Sequence, residues 1–361
     1  MLYNLLYPLA EQMHLLNLFR YITFRSAYAL VTALLISFLV GPAIIRRLRK
    51  LKIGDTCRED TPQHHRQKAG TPTMGGLMIL ASIMVPVLLW ADLGNRYIQI
   101  ASLATLCLGF IGFCDDYLKV VKKQPKGLVG RKKLAWQIVL SLAIGAWLLF
   151  WPLNQDYATK TSVLFFKNFF IDLGWLFIPF VMAVIVGTSN AVNLTDGLDG
   201  LAIGVVLFAA AAYAAMCYFT GNYNLASYLN ILFMKGSGEL TVFCASIVGA
   251  SLGFLWYNAH PAEVMMGDTG SLALGGAIGT TAVLIKQEIL LLVVGGVFVM
   301  EALSVIMQVA SFKLTGRRIF RMAPIHHHFT LQGWSEQKIV VRFWIIAFIC
   351  ALVALSTLKI R

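Results

Sequence analysis

Ten runs of mostly apolar residues dominate this chain, at 27–45, 74–91, 97–114, 134–153, 173–192, 201–220, 240–257, 269–285, 289–312 and 339–358. A helix needs about 17 to 25 such residues to cross the hydrocarbon core of a bilayer. Backbone polar groups in lipid must be satisfied within the segment, so helices are the expected form. Of 361 residues, 58% are hydrophobic and only 13% charged, more apolar surface than a soluble fold of this length can bury. The expectation is an all-α integral membrane protein, one polytopic domain over 1–361 with about ten transmembrane helices.

Charge placement orients it. Of the 30 Lys and Arg, 20 fall in three connections, those after the first, third and ninth runs, which all lie on one side. The opposite connections carry only Arg96, Lys160 and Lys167, Lys235, and Lys286. The positive-inside rule then makes the basic face cytoplasmic and points both termini outward. The net charge of +13 is spent on topology and anionic lipid, with no aromatic interleaving in soluble sequence to support nucleic-acid binding. Residues 1–25 lack a basic leader and space their apolar residues helically, which suggests an interfacial helix. Residues 154–172 form the one long periplasmic loop, fit for a small hairpin or helix, and 313–338 a cytoplasmic His-rich loop. The six cysteines form no CxxC pair and read as packing residues.

Acidic side chains are scarce, yet Asp115, Asp116, Asp196, Asp199 and Asp268 all fall on the cytoplasmic face. Asp115 and Asp116 would sit about 100° apart on a helix, so both can border one cavity. Such a pair near apolar walls is costly unless a cation or basic group neutralises it. The segment 189–200 carries Asn190, Asn193, Asp196 and Asp199 with no basic residue; a helix-capping turn is the plainer reading, and the spacing does not fit an EF-hand. Met-Gly-Asp-Thr-Gly-Ser at 266–271 places Asp268 before a helix, where free N–H groups suit a phosphate or its metal. Together the acids resemble a magnesium site, since magnesium takes one or two carboxylates plus phosphate oxygens.

Lys68 precedes a stiff, close-approach backbone containing Gly70, Pro72, Gly75 and Gly76, and Lys133 ends a basic run. Three consecutive histidines, His326, His327 and His328, cannot all face one metal on a regular element, so they point to hydrogen bonding of polar substrate groups or to a solvated loop. Glu301, inside the ninth run, is an intramembrane acid whose plainest use is a kink or a hydrogen bond between helices. Gly275 and Gly279 are the kind of small residues that let membrane helices pack closely.

The motifs at 70–76, 115–117, 190–200, 266–271 and 324–329 resemble, in order and nearly end to end, the polyprenyl-phosphate N-acetylhexosamine-1-phosphate transferases, most closely the branch that handles phospho-MurNAc-pentapeptide. The resemblance implies ten transmembrane helices, a homodimer, Mg2+, and transfer from UDP-MurNAc-pentapeptide to undecaprenyl phosphate with release of UMP. It implies Asp115, Asp116 and Asp268 as catalytic and Asp268 as metal ligand. It further implies that Asn190, Asn193 and Asp196 line the uridine and pyrophosphate site, while Lys68, Lys133 and His326 to His328 contact substrate. Met265 stands where some relatives stack a Phe on uracil. A transferase using UDP-GlcNAc is the nearest rival. A transporter is the rival from another class, disfavoured because the acids gather at one face and not at the midplane.

Overall fold

The computed structural model describes residues 2–6, 13–50, 71–124, 127–163, 166 and 169–360. It is almost wholly helical. Helix α1 spans Leu2–Leu6 and a 3₁₀ turn spans His14–Arg20, both within the 1–25 segment, of which residues 7–12 lie outside the described ones. Then come α2 (Ile22–Lys50), α3 (Gly76–Trp90), α4 (Arg96–Val120), α5 (Gly130–Phe150), α6 (Phe177–Thr195), α7 (Leu201–Gly221) and α8 (Tyr223–Leu229). The chain ends with α9 (Leu240–Asn258), α10 (Gly267–Leu284), α11 (Leu291–Val294), α12 (Gly296–Thr315), α13 (Ile325–Leu331) and α14 (Glu336–Ile360).

Among the described residues, eight helical segments are long and apolar enough to cross a membrane. The other two apolar runs form α3, which has 15 residues, and α10, which has 18. Their environment explains the difference. Every residue of α10 from 269 to 284 is buried, because α3, α4, α6 and α7 surround it. A helix wrapped in protein is free to carry Gly, Ser and Thr where a lipid-facing helix carries Leu and Val. Its glycines admit the neighbours: a Cβ on Gly275 would lie 2.6 Å from the Thr188 carbonyl oxygen of α6, and one on Gly276 2.0 Å from Leu108 of α4. By contrast α2, α5 and α12 keep most of their surface on the outside, with Leu39, Trp136, Val139 and Ile306 exposed, as lipid-facing helices do.

The 154–172 connection forms a hairpin of β1 (Lys160–Ser162) and β2 (Phe170–Asp172), antiparallel with Thr161 opposite Ile171. It is tied to the turn after α10: Thr161 Oγ1 donates to Glu288 at 2.7 Å, and Ser162 Oγ to the Lys286 carbonyl at 2.6 Å. On this same face Arg25 of α2 meets Glu239, just ahead of α9, in a buried two-pronged pair at 2.7 and 2.5 Å. The Asp92 N–H also donates to Glu239, so the pair locks the turn after α3 as well. Five cysteines lie among the described residues and all are free thiols, while Cys57 lies outside them.

Candidate active site

The site is built where the last turn of α4 meets the first turn of α10. Segment 72–76 sets the meeting point. Met265 N–H donates to the Pro72 carbonyl at 2.8 Å, and Gly75 and Gly76 N–H donate to the Met265 and Met266 carbonyls at 2.9 Å each. The Gly-Gly pair is needed for this fit, because a Cβ on Gly76 would fall 2.1 Å from the Gly270 nitrogen. The close-approach backbone expected here therefore closes on the Asp268 loop. Lys68 and Gly70 lie outside the described residues.

Asp116 caps α10 from the neighbouring helix. Helix α10 has no side-chain cap of its own. Instead its Asp268 and Thr269 N–H groups donate to Asp116 at 3.1 and 2.9 Å, and the Thr269 hydroxyl at 2.6 Å. A carboxylate at the positive end of a helix satisfies orphan donors and is stabilised by the dipole. Gly267, at φ 73°, turns the chain into this cap, and a Cβ there would lie 2.7 Å from Asp116 Oδ2. Both oxygens of Asp116 are thus committed to holding the loop.

Asp115, one residue earlier, faces the other way, as the 100° rotation requires. Its Oδ2 lies 3.0 Å from Lys119 Nζ and 3.3 Å from Lys133 Nζ, and Oδ1 accepts from the Leu128 N–H at 2.7 Å. The same two ammonium groups each lie 2.8 Å from Asp268 Oδ2. Two carboxylates and two lysines therefore share one centre, the neutralisation that an acidic pair beside apolar walls demands. Lys119 escaped the sequence reading, although its i,i+4 spacing from Asp115 was a usable signal.

Segment 189–200 closes a third side. Asn193 Nδ2 donates to Asp268 Oδ1 at 2.6 Å and to Ser271 Oγ at 2.8 Å. Asn190 turns toward α5, donating to Gln137 Oε1 at 2.8 Å. Asp196 accepts from the Gly267 backbone; burial, then the charges of Asp268 and Asp116, push its carboxyl up to about 8. Asp199 points elsewhere. It meets His260 Nδ1 at 2.9 Å beside a cavity of about 660 Å³ that Thr71, Trp334 and Glu336 also line.

The three histidines share α13 and have three different surroundings. His326 is fully buried, with Nδ1 3.0 Å from Glu301 Oε1 on α12, so Glu301 makes the hydrogen bond between helices expected of it. His327 stacks against it with ring centroids 4.1 Å apart. His328 accepts from the Arg321 N–H at 3.1 Å and pairs with Gln332 at 2.8 Å.

At the shared centre Asn193 presents its Nδ2 N–H to Asp268 and two ammonium groups already supply positive charge, while the carboxylate oxygens of Asp115 and Asp268 are hard donors. That is the chemistry magnesium takes. Carboxylate oxygens suit the ion, and a magnesium on Asp268 would take the place of the ammonium contacts at Oδ2.

A family model described as glycosyl transferase family 4 matches residues 98–286, which hold α4 through α10 and all three central aspartates. A second, described as phospho-N-acetylmuramoyl-pentapeptide-transferase signature 1, matches residues 68–80. Phospho-N-acetylmuramoyl-pentapeptide-transferases of Citrifermentans bemidjiense and of Geobacter sp. strain M21 are each 59% identical over the whole of both chains. That of Pelobacter propionicus is 58% identical, again over both full lengths. The chain belongs to the phospho-N-acetylmuramoyl-pentapeptide-transferase family. The signature at 68–80 contains the backbone that clamps Met265 and Met266, so this family motif has a mechanical role in placing Asp268.

Proposed function

We propose that this chain transfers phospho-MurNAc-pentapeptide from UDP-MurNAc-pentapeptide to undecaprenyl phosphate, giving lipid I and UMP, the first membrane step of peptidoglycan synthesis. The observation that carries it is the centre in which Lys119 and Lys133 bridge Asp115 and Asp268, in a chain 59% identical end to end to transferases of that name. Phosphoryl transfer asks for positioning and neutralisation of charge more than for protein covalency.

In this reading a lipid phosphate oxygen forms a bond to the sugar-linked phosphorus while the bond from that phosphorus to the oxygen of the departing UMP breaks. Lys119 and Lys133 bind anionic oxygens of the diphosphate. Asp115 orients the lipid phosphate and takes its proton where it carries one. Asp116 keeps the first turn of α10 in place. Asn190, Asn193 and Asp196 line the nucleotide side, with Lys68 and His326 to His328 around the substrate. Magnesium, when held by Asp268, supplies further neutralisation of the diphosphate charge.

The same reading gives ten crossings in a bacterial inner membrane, both termini periplasmic, the cleft facing the cytoplasm, and a homodimer. Its support is the segregation of 20 of the 30 Lys and Arg to one face, the face that holds the aspartates. It keeps 1–361 as one polytopic domain, with 1–25 interfacial, 154–172 periplasmic and 313–338 cytoplasmic.

UMP release by the detergent-purified chain tests it, with undecaprenyl phosphate as acceptor and either UDP-MurNAc-pentapeptide or UDP-GlcNAc as donor. The expected result is UMP with the pentapeptide donor alone, lost in Asp115→Asn and Asp268→Asn, and lost on chelation until magnesium is returned. Release with UDP-GlcNAc would overturn the substrate, and chelator resistance would overturn the metal.

A further inference from the structure

Glu301, which no step above uses, forms a buried dyad with His326 inside the protein. Glu301 projects from the middle of α12 and His326 from α13, and both are 0% exposed. One carboxylate oxygen meets His326 Nδ1, while Glu301 Oε2 and His326 Nε2 are buried without a hydrogen-bond partner. A buried nitrogen left in this way costs free energy unless its state serves something. What it faces is Gly197. A Cβ on Gly197 would lie 2.2 Å from Nε2 and 2.9 Å from Cε1, so the bare glycine backbone is what lets the ring edge seat against the loop. Gly197 directly follows Asp196, whose carboxyl accepts from Gly267, next to Asp268.

Which ring nitrogen of a histidine carries the proton is set by the hydrogen bond the other one makes. With Glu301 Oε1 as the acceptor, the proton is held on Nδ1 and Nε2 is left bare. The alternative tautomer would place an N–H hydrogen in the contact with Gly197 and push the loop outward. We propose that Glu301 is a positioning residue that fixes the His326 tautomer, and through the Nε2 contact with Gly197 seats the Asp196 loop against the Asp268 turn. This deepens the reading of the site as a nucleotide-sugar transferase and rests on it. Glu301 touches no substrate, and its effect on turnover passes through His326.

The test compares wild type with Glu301→Gln, Glu301→Asp, His326→Gln and the Glu301→Gln/His326→Gln pair. Glutamine keeps the shape but can donate to Nδ1 as readily as accept from it, so it fixes no tautomer. Partners that orient a functional group at one remove are typically worth about 10- to 100-fold. Glu301→Gln should therefore lower kcat/KM by about that factor, mainly through KM for the nucleotide donor. KM for the lipid phosphate and the melting temperature should stay put. Glu301→Asp should recover part of the loss, and the double variant should be no worse than His326→Gln alone. A fall in kcat with both KM values unmoved, or additive losses in the pair, would overturn the proposal. Gly197→Ala gives a second route should the Glu301 variants unfold: it keeps both dyad residues but forces the His326 ring edge and the loop apart, and must produce the same rise in donor KM. Histidine ¹⁵N spectra, with the His326 signals assigned by their loss in His326→Gln, read the tautomer without turnover. Nε2 must be unprotonated in wild type and protonated in a measurable fraction of Glu301→Gln. If wild type releases no UMP, the functional reading fails while the spectra still decide the tautomer.

Discussion

Gly112→Ala puts the geometry of the centre under direct strain. A Cβ on Gly112 of α4 would lie 2.2 Å from the Asp268 carbonyl oxygen, 2.5 Å from its carbonyl carbon and 2.7 Å from Thr269 Cα. All three are backbone atoms, so no rotamer relieves the overlap. Restoring an ordinary contact of 3.4 Å means separating α4 from the start of α10 by about 1.2 Å at that point. The Asp116 hydrogen bonds to that turn, at 2.6 to 3.1 Å, cannot absorb such a shift and remain bonds. Overpacking of this kind costs about 1–3 kcal/mol. Displacing reacting groups by about 1 Å costs on the order of 100-fold in rate. Initial rates of UMP release and a thermal melt in detergent should therefore show a large loss of turnover with a modest loss of stability. Gly187→Ala is the control, since a Cβ there meets nothing within 4 Å, and it should be neutral in both. A Gly112→Ala enzyme with wild-type turnover would refute the view that this crossing sets the placement of Asp268 against Asp115.

Three further outcomes are expected. Lys133→Met removes one of the two ammonium groups shared by Asp115 and Asp268 and should lower kcat by about 10²- to 10³-fold, measured as UMP release at saturating substrates. Arg25→Met strands Glu239 without its bidentate partner and should destabilise by about 3–5 kcal/mol, whereas Arg25→Met with Glu239→Leu should regain most of that in the same thermal unfolding assay. Burial pushes Glu288 up to about 7 from 4.5, with Lys286 offsetting part of the rise. A carboxyl raised in the folded state contributes stability that is complete below about 4.5 and is lost as pH rises through about 7. Glu288→Gln should accordingly melt higher than wild type at pH values above that window and lose the advantage as pH falls through it.

The all-α architecture was legible because lipid leaves the chain few options: an apolar run of sufficient length becomes a helix. Even so, the runs at 74–91 and 269–285 behave differently from the rest. Helix α10 is buried in protein along its length, which its five glycines and its Ser and Thr content already hinted at. The acids were legible as a group, since few other reasons place Asp115, Asp116, Asp196 and Asp268 at one face of an apolar chain. Their division of labour was not. Asp116 reaches the Thr269 N–H across 153 positions, and Lys133 reaches Asp268 across 135, and separations like these are fixed by helix packing that no local pattern encodes.

The same packing shows what the close-approach backbone approaches: Gly75 and Gly76 hold the Met265 and Met266 carbonyls. A close-approach backbone looks alike in sequence whether its partner is a ligand or another strand of the same chain. In this protein the partner is the turn that carries Asp268. The clamp on 265–266 by segment 72–76, and the Asp116 cap and Gly112 contact supplied by α4, constrain the first turn of α10 at three points, leaving the Asp268 side chain facing Lys119, Lys133 and Asn193. A carboxylate held in that way sits in position before any substrate arrives. Preorganisation of this kind, built from glycines and backbone hydrogen bonds, is how a site at helix ends meets the positional demands of phosphoryl transfer.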